Sequence, residues 1–161
     1  MESGEVNCNL IITCRKGHER AVLRDVLDLL FPYDTRIKGW ITSGGRICLQ
    51  TALTYENLAT LFQRYPVRNL LATRLVLCSV RISSNLIDSL EELLAKCCQT
   101  TKLFRRLSIK LKAKDGWRQD YFAKLKPYLQ LCLGGQWDGV IEKTSSHLLL
   151  EIKITPKPAN G

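Results

Sequence analysis

The chain has 161 residues, of which 45% are hydrophobic and 24% are charged. This composition is typical of a globular protein and excludes an intrinsically disordered one. The formal net charge is +9, and apolar runs such as residues 148–150 are far too short to cross a bilayer. Residues 1–5 are acidic, unlike the basic front of a signal peptide, so we expect a cytoplasmic protein without a membrane partner.

The first half of the chain predicts two helices and four strands in the order βαββαβ. Pro32 and Pro66 end the helices, because proline cannot continue a helix, and residues 43–45 (Ser-Gly-Gly) have the composition of a hairpin turn. The predicted elements are a strand at 7–14, a helix at 19–31, strands at 36–42 and 46–51, a helix at 54–65 with Thr54 as its N-cap, and a strand at 73–82. This order is that of a ferredoxin-like module.

A second α/β module follows without a flexible linker. Asn85 is a predicted helix N-cap, Asp115-Gly116 predicts a turn, and Pro127 is expected to kink or split the helix that contains it. The predicted elements are a helix at 86–97, a basic strand at about 105–113, a helix at 117–132 and strands at 140–143 and 147–154. The sequence therefore predicts an α+β protein with domains at 1–82 and 83–155 and a frayed tail at 156–161.

Seven cysteines raise the alternatives of a disulfide framework, a metal site and ordinary apolar packing. Their number is odd, they form no Cys-x-x-Cys pair, and most lie among apolar residues of predicted helices and strands. Neither His18 nor His147 lies near a cysteine pair, as a zinc site would require. We therefore favour free cysteines that behave as small buried hydrophobes, with disulfides left open for a hyperthermophilic source, and expect no metal or other cofactor.

Positive charge is concentrated in one segment, residues 96–126, which holds ten basic side chains against Asp115 and Asp120. Apolar and polar residues alternate over 107–114, so a strand would bury Leu107, Ile109, Leu111 and Ala113 and present Lys110, Lys112 and Lys114 in a row on its other face. Such a concentration of cations predicts an anionic polymer as the partner, with nucleic acid the first candidate. The alternative is a solvated lysine face that keeps the protein soluble.

Catalytic chemistry is poorly represented in the sequence. There is no nucleotide-binding glycine loop after a strand, no nucleophile elbow and no metal-ligand spacing. His18 has no evident catalytic partner, and Gly44-Gly45 is better explained by a hairpin turn than by a phosphate-binding nest. We expect no enzyme activity in this chain.

RNA is favoured over DNA as the nucleic acid. The sequence has no helix-turn-helix, zinc finger or basic zipper that would enter a DNA major groove. It also has no aromatic motif of the kind that stacks single-stranded bases on a sheet. Trp40, Trp117 and Trp137 are candidates for stacking on a terminal base, although core packing is the commoner role of such residues.

Three segments resemble proteins that contain a THUMP domain. Residues 9–19 are similar to the opening strand and turn of the N-terminal ferredoxin-like domain that accompanies THUMP domains, and 73–80 resembles the strand that precedes the THUMP domain. Residues 85–154 resemble the THUMP domain itself. In layout the chain is similar to the stand-alone archaeal and eukaryotic type, related to the yeast adaptor for tRNA N4-acetylcytidine formation.

This resemblance implies a non-catalytic protein that holds the acceptor stem and 3′ end of tRNA for a separate modifying enzyme, such as a tRNA cytidine acetyltransferase. Two alternatives remain: a protein-interaction module without RNA contact, and the RNA-binding subunit of another tRNA-modifying enzyme. The predicted RNA contacts combine the basic segment with the strand arginine of the resemblance and residues flanking turns. They are Lys110, Lys112, Lys114, Arg118, Gln119, Arg74, Lys124, Arg105, Arg106, Arg15, Lys16 and Arg46.

Overall fold

The computed structural model describes residues 8–98 and 103–154. The chain divides into two compact units, which are described separately below. Unit 1 runs to Leu75 and includes Ile154, and unit 2 is Val76–Lys153. The division falls inside the fourth strand, whereas the domain boundary predicted after residue 82 lies just beyond the end of that strand and stays a prediction.

Unit 1 has the predicted order βαββαβ. Its elements are β1 (Leu10–Cys14), α1 (Glu19–Leu30), β2 (Lys38–Ile41), β3 (Ile47–Gln50), α2 (Tyr55–Arg64) and the first part of β4 (Leu70–Arg81). The strands lie in the order β2-β3-β1-β4, and β1 is antiparallel to both β3 and β4. This is the ferredoxin-like arrangement that the sequence predicts.

The helices of unit 1 contribute a continuous apolar stripe to one core. Val22, Val26 and Leu30 lie on one side of α1, one helical turn apart, and are fully buried. They pack with Leu10 and Leu49 of the sheet. Helix α2 begins where predicted, because the Thr54 hydroxyl accepts the N–H of Asn57 at 3.2 Å and the Asn57 amide oxygen accepts the N–H of Thr54.

Unit 2 has a mixed sheet with two helices. The second part of β4 is followed by α3 (Leu86–Cys97), β5 (Phe104–Lys110), the 3₁₀ turn η1 (Ala113–Asp115), α4 (Tyr121–Cys132), β6 (Leu133–Lys143) and β7 (His147–Lys153). The strand order is β4-β7-β6-β5, with β5 parallel to β6 and β6 antiparallel to β7. Asn85 caps α3 as predicted, its side-chain oxygen accepting the N–H of Ile87 at 3.1 Å.

The structure corrects the predicted start of the second helix of unit 2 and excludes one of the two outcomes predicted for Pro127, the split; the kink stays a prediction. The helix begins at Tyr121 and not at Trp117, because the chain turns through η1 and Gly116 before it becomes helical. Pro127 does not split the helix, which runs as one element of 12 residues with the proline inside it. The proline leaves the carbonyl of the exposed Ala123 without its helical N–H partner, at a position that solvent can reach.

The expectation that the cysteines are free is wrong for four of the seven. Cys78 is bonded to Cys97, and Cys98 is bonded to Cys132. The pairs are 19 and 34 residues apart in sequence, and the fold brings their Cα atoms within 6.0 and 5.2 Å. The end of α3 is thereby joined both to β4 and to the end of α4. Cys8, Cys14 and Cys48 remain free thiols.

None of the helices in the described ranges is long and apolar enough to traverse a lipid bilayer. The predicted tail at 156–161 lies outside the described residues.

Candidate nucleic-acid interface

Strand β5 forms the outer edge of the unit 2 sheet and carries the first cations of the predicted interface. Leu107 and Ile109 are half-buried, while Arg106, Ser108 and Lys110 between and beside them are exposed. Alternation with period two places these residues on opposite faces of the strand, as predicted over this part of the segment. An edge strand with exposed cations resists pairing with other chains and leaves its charges accessible.

Strand β5 is held against β6 by an aromatic ring. Phe104 is fully buried, and its ring lies directly over Gly139 of β6. A Cβ atom at position 139 would overlap two carbons of that ring and come within 2.9 Å of a methyl group of Leu107. Glycine at 139 is therefore required for the close approach of the two strands.

The predicted row of three strand lysines is not formed. The strand ends at Lys110, Lys112 is extended, and Lys114 lies in η1. Ala113, predicted to be buried, is exposed. The turn is stabilised locally, because the Asp115 carboxylate accepts the N–H of Lys112 at 3.3 Å. In a longer strand this N–H would be available for pairing with a neighbouring strand.

The residue after η1 completes the turn. Gly116 has φ +88°, a left-handed conformation that glycine adopts without steric cost, and its N–H donates to the carbonyl of Ala113. Asp115 also forms an ion pair with Lys143 of β6 at 3.7 Å. Lys110 and Lys112 both lie on extended backbone, where residues two apart are separated by about 6.6–7 Å along the strand direction. Lys114 lies in the η1 turn.

Two of the predicted cations are held by carboxylates. Arg105 donates three hydrogen bonds to Asp138 of β6, from Nη2 to Oδ2 at 3.0 Å and to Oδ1 at 3.2 Å and from Nε to Oδ1 at 3.3 Å. Arg118 pairs with Asp120 at 3.2 Å. Sequence reasoning missed Asp138, which lies outside the basic segment and reaches Arg105 only because β6 runs parallel beside β5.

The predicted phosphate site at the start of the second helix does not have the expected geometry. Arg118 and Gln119 precede the helix, and their carbonyls already accept the N–H groups of Tyr121 and Phe122. Asp120 places a carboxylate at the N-cap position, where the helix dipole would otherwise favour an anionic ligand. That Arg118 and Gln119 contact RNA stays a prediction, but the N–H groups of Tyr121 and Phe122, which were expected to face a phosphate, already donate to these carbonyls.

An aromatic cluster lies at the start of α4. Trp117 contacts Tyr121 and Phe122 edge to face, with ring centroids 5.7 and 5.1 Å apart, and the Arg118 guanidinium lies 5.9 Å from the Tyr121 ring. Trp117 is half-buried in this cluster, whereas Phe122 is 46% exposed. Trp40 and Trp137 are also half-buried. Phe122, which the sequence did not single out, is the most exposed ring of the cluster.

The remaining predicted contacts of unit 2 are exposed. Five of them are cations that form no ion pair with any residue in 8–98 or 103–154: Arg106, Lys110, Lys112, Lys114 and Lys124. We call the first four, on β5 and the η1 turn, the basic edge. Two acids of β6 stand opposite the basic edge in the strand register: Asp138 opposite Arg106 and Glu142 opposite Lys110.

The predicted contacts of unit 1 lie on separate elements. Arg15 and Lys16 are exposed in the turn after β1, where the Arg15 N–H donates to the Asn69 carbonyl. Arg46 is half-buried at the start of β3. Arg74 is half-buried on β4, in register with Ile11 of β1, and so occupies a sheet interior and not a strand end.

Two acids of unit 1 have lowered pKa values. Backbone N–H groups, its own and that of Gly17, hold the pKa of Glu19 below its usual range. The hydroxyl of Thr51 and the N–H of Ala52 lower the pKa of Asp34. Within the described ranges, no group of three or more His, Cys, Asp or Glu side chains is placed to hold a metal ion.

No protein-family model and no curated protein matches this chain. Solved structures with a similar fold include two longer proteins. One is described as a predicted N6-adenine-specific DNA methylase from Listeria monocytogenes (TM-score 0.55, 14% identity). The match covers 91% of this chain and 40% of the methylase. The other is a 4-thiouridine synthetase in complex with RNA and ATP (TM-score 0.53, 10% identity). That match covers 92% of this chain and 42% of the synthetase.

The chain thus spans about two fifths of each of these longer proteins. At such low identity the likeness concerns the fold alone. The architecture agrees with the α+β, THUMP-like fold that the sequence predicts.

Proposed function

We propose that this chain binds RNA through the basic edge of unit 2. The observation that carries the proposal is that Arg106, Lys110, Lys112 and Lys114 are exposed within nine consecutive residues and make no ion pair in the part of the chain described. When cations without protein partners contact phosphates, they displace the counterions condensed on the nucleic acid. This release of counterions is the main source of affinity for nucleic acid.

We further propose tRNA as the RNA and a separate tRNA-modifying enzyme as the partner. One structural neighbour is a 4-thiouridine synthetase in complex with RNA, and the other is described as a predicted N6-adenine-specific DNA methylase. Both are longer enzymes, and this chain corresponds to about two fifths of each. In this proposal the chain is non-catalytic, acts in the cytoplasm and positions the acceptor stem and 3′ end of tRNA, with a tRNA cytidine acetyltransferase as the first candidate partner.

The salt dependence of tRNA binding tests the basic edge directly. Each phosphate neutralised contributes about −0.7 to −0.9 to the slope of log affinity against log salt. Changing Lys110, Lys112 and Lys114 together to Ala is expected to reduce the magnitude of that slope by about 2 to 3. The control removes three exposed arginines of unit 1 (R20A/R64A/R68A), and it should leave the slope nearly unchanged.

An equal reduction in both triple variants would show that net charge and not the basic edge determines binding. Binding without salt dependence would favour the alternative of a protein-interaction module. Comparing tRNA, an acceptor minihelix, a 3′-trimmed minihelix and duplex DNA of equal length tests the choice of nucleic acid. Modification of tRNA by the purified chain with candidate donors and no added enzyme would contradict the non-catalytic role.

A further inference from the structure

Unit 1 contains an open cleft of about 660 Å³, apart from the basic edge. Its volume lies within the range of about 300–1,000 Å³ typical of small-molecule sites. The cleft lies between the loop that leads from α1 into β2 and the end of β3. Its lining residues are Asp34, Thr35, Arg36, Ile37, Lys38, Gln50, Thr51 and Ala52.

One wall of the cleft is built around the Asp34 carboxylate. Its Oδ2 accepts the Thr51 hydroxyl at 2.7 Å and the Ala52 N–H at 2.9 Å, and its Oδ1 accepts the Arg36 N–H at 3.3 Å. Three donors from two segments therefore fix the loop against the end of β3. These hydrogen bonds hold the carboxylate in the wall of the cleft. The dipoles of the three donor groups compensate most of its negative charge.

The groups left to meet a ligand are hydrogen-bond donors and cations. Arg36 and Lys38 are exposed, and neither has an ion pair among the residues that the structure describes, although the Arg36 charge contributes to the low pKa of Asp34. Lys38 and Gln50 are directly opposite in the β2–β3 register, so the ammonium group and the amide share one face. With two cations against one aspartate, the lining carries a formal charge of +1.

Two exposed aromatic residues precede the lining residues of the cleft in sequence. Tyr33, immediately before Asp34, is 56% exposed, and Phe31 two residues earlier is 54% exposed. Exposed rings beside cations are typical of sites that hold a planar base by stacking and its phosphate by charge. The guanidinium, ammonium and amide donors of the cleft match a phosphate group in chemistry, and its volume suits a nucleoside phosphate.

We propose that this cleft binds a nucleoside phosphate, with Arg36 and Lys38 contacting the phosphate and Tyr33 stacking on the base. The two sources of this chemistry are a free nucleotide and the 5′-phosphorylated end of an RNA. The site is separate in sequence from the basic edge, and the proposal stands whether or not the basic edge binds RNA.

Calorimetric titration of the full chain with AMP at low salt tests the site. Saturable binding is expected, weakened at least about tenfold in the R36A/K38A variant, because charge-assisted hydrogen bonds to phosphate are lost. The matched control R20A/R64A also removes two exposed cations from unit 1 and should bind AMP as the unaltered chain does. Thermal unfolding of both variants verifies that they fold.

Two further variants test the stacking ring and the independence of the cleft from the basic edge. The Y33A variant should weaken AMP binding about threefold to tenfold through lost stacking and leave the binding of inorganic phosphate unchanged. The K110A/K112A/K114A variant should retain AMP binding in full, which distinguishes failure of this site from failure of the basic edge.

RNA oligonucleotides with and without a 5′-phosphate identify the source. Tighter binding of the phosphorylated oligonucleotide than of AMP, lost in R36A/K38A, assigns the site to an RNA end, and equal affinities assign it to the free nucleotide. The proposal is overturned by the absence of saturable AMP binding, by an equal loss in R20A/R64A, or by equal affinity for AMP and inorganic phosphate.

Discussion

The two cation-bearing regions of this protein, the Asp34 loop of unit 1 and the basic edge of unit 2, are held in place by different forces. The Asp34 loop is fastened by hydrogen bonds from neutral donors to one carboxylate. The basic edge is held by the pairing of β5 with β6, by the buried ring of Phe104 packed over Gly139, and at the η1 turn by the Asp115 carboxylate. In both regions the contacts that fix the backbone do not involve the charged groups of the exposed cations. These groups are therefore accessible to a ligand in both regions, although different contacts fix the backbone.

The largest expected effect is on the apolar fastening of the basic edge. The substitution Gly139→Ala is expected to destabilise the protein by about 3 kcal/mol, because the added methyl group overlaps the ring of Phe104, which is fully buried. Urea unfolding measures the change. Gly44→Ala is the matched control, since a Cβ there meets nothing closer than the Thr42 hydroxyl at 4.0 Å. Equal stability of the two variants would contradict the ring-over-glycine contact.

A smaller effect is expected on the polar fastening of the Asp34 loop. The substitution Asp34→Ala is expected to cost about 1–2 kcal/mol at neutral pH, because the Thr51 hydroxyl and the Ala52 N–H lose their acceptor. The control Asp28→Ala removes an exposed carboxylate of α1 that has no such donors, and its effect should stay within about 0.5 kcal/mol.

The Asp34 effect should also depend on pH. Hydrogen bonds from Thr51 and Ala52 lower the pKa of Asp34 in the folded state, so this carboxylate contributes stability above its unfolded pKa of about 3.9. That contribution is lost as the pH falls through the lower, folded pKa. The difference in unfolding free energy between the unaltered chain and D34A should therefore be constant near neutrality and shrink below about pH 4. A difference that grows in acid would show that Asp34 is not stabilised as an anion.

Regular elements could be predicted from the sequence because their signals are local. The apolar stripe of α1, the caps at Thr54 and Asn85 and the hairpin glycines each act within a few residues, and each element is present where the pattern indicates. Features that depend on distant pairs were missed. The two disulfides join residues 19 and 34 positions apart, and no spacing rule identifies such pairs before the fold is known.

The candidate site was predicted in part, for the same reason. Alternation correctly identified the exposed and half-buried residues of β5, but it was extended past Lys110 into a segment where Asp115 captures the backbone in a turn. Counting charges within one segment also overlooked Asp138, which arrives on a neighbouring strand. The excess of positive charge remains, but it rests on fewer cations than the sequence indicated.

The smallest expected effect concerns the cation that the fold neutralises. Arg105 and Asp138 are 61% and 30% exposed, and ion pairs so accessible to water contribute about 0–1 kcal/mol to stability. The substitution Asp138→Asn should therefore leave unfolding almost unchanged while removing the charge that holds Arg105 away from a ligand. If RNA binds at the basic edge, the released guanidinium adds about one phosphate contact, which steepens the salt slope of tRNA binding by about 0.7 to 0.9.

The matched control for this variant is Glu92→Gln, which removes one exposed negative charge from α3 in the same unit and frees no arginine. Because both variants change the net charge equally, a steeper slope in D138N alone locates the effect at the end of β5. An identical slope in the two variants would mean that Arg105 does not reach the nucleic acid. The RNA contacts near the end of β5 would then be limited to the cations of the basic edge, which already lack carboxylate partners among the described residues.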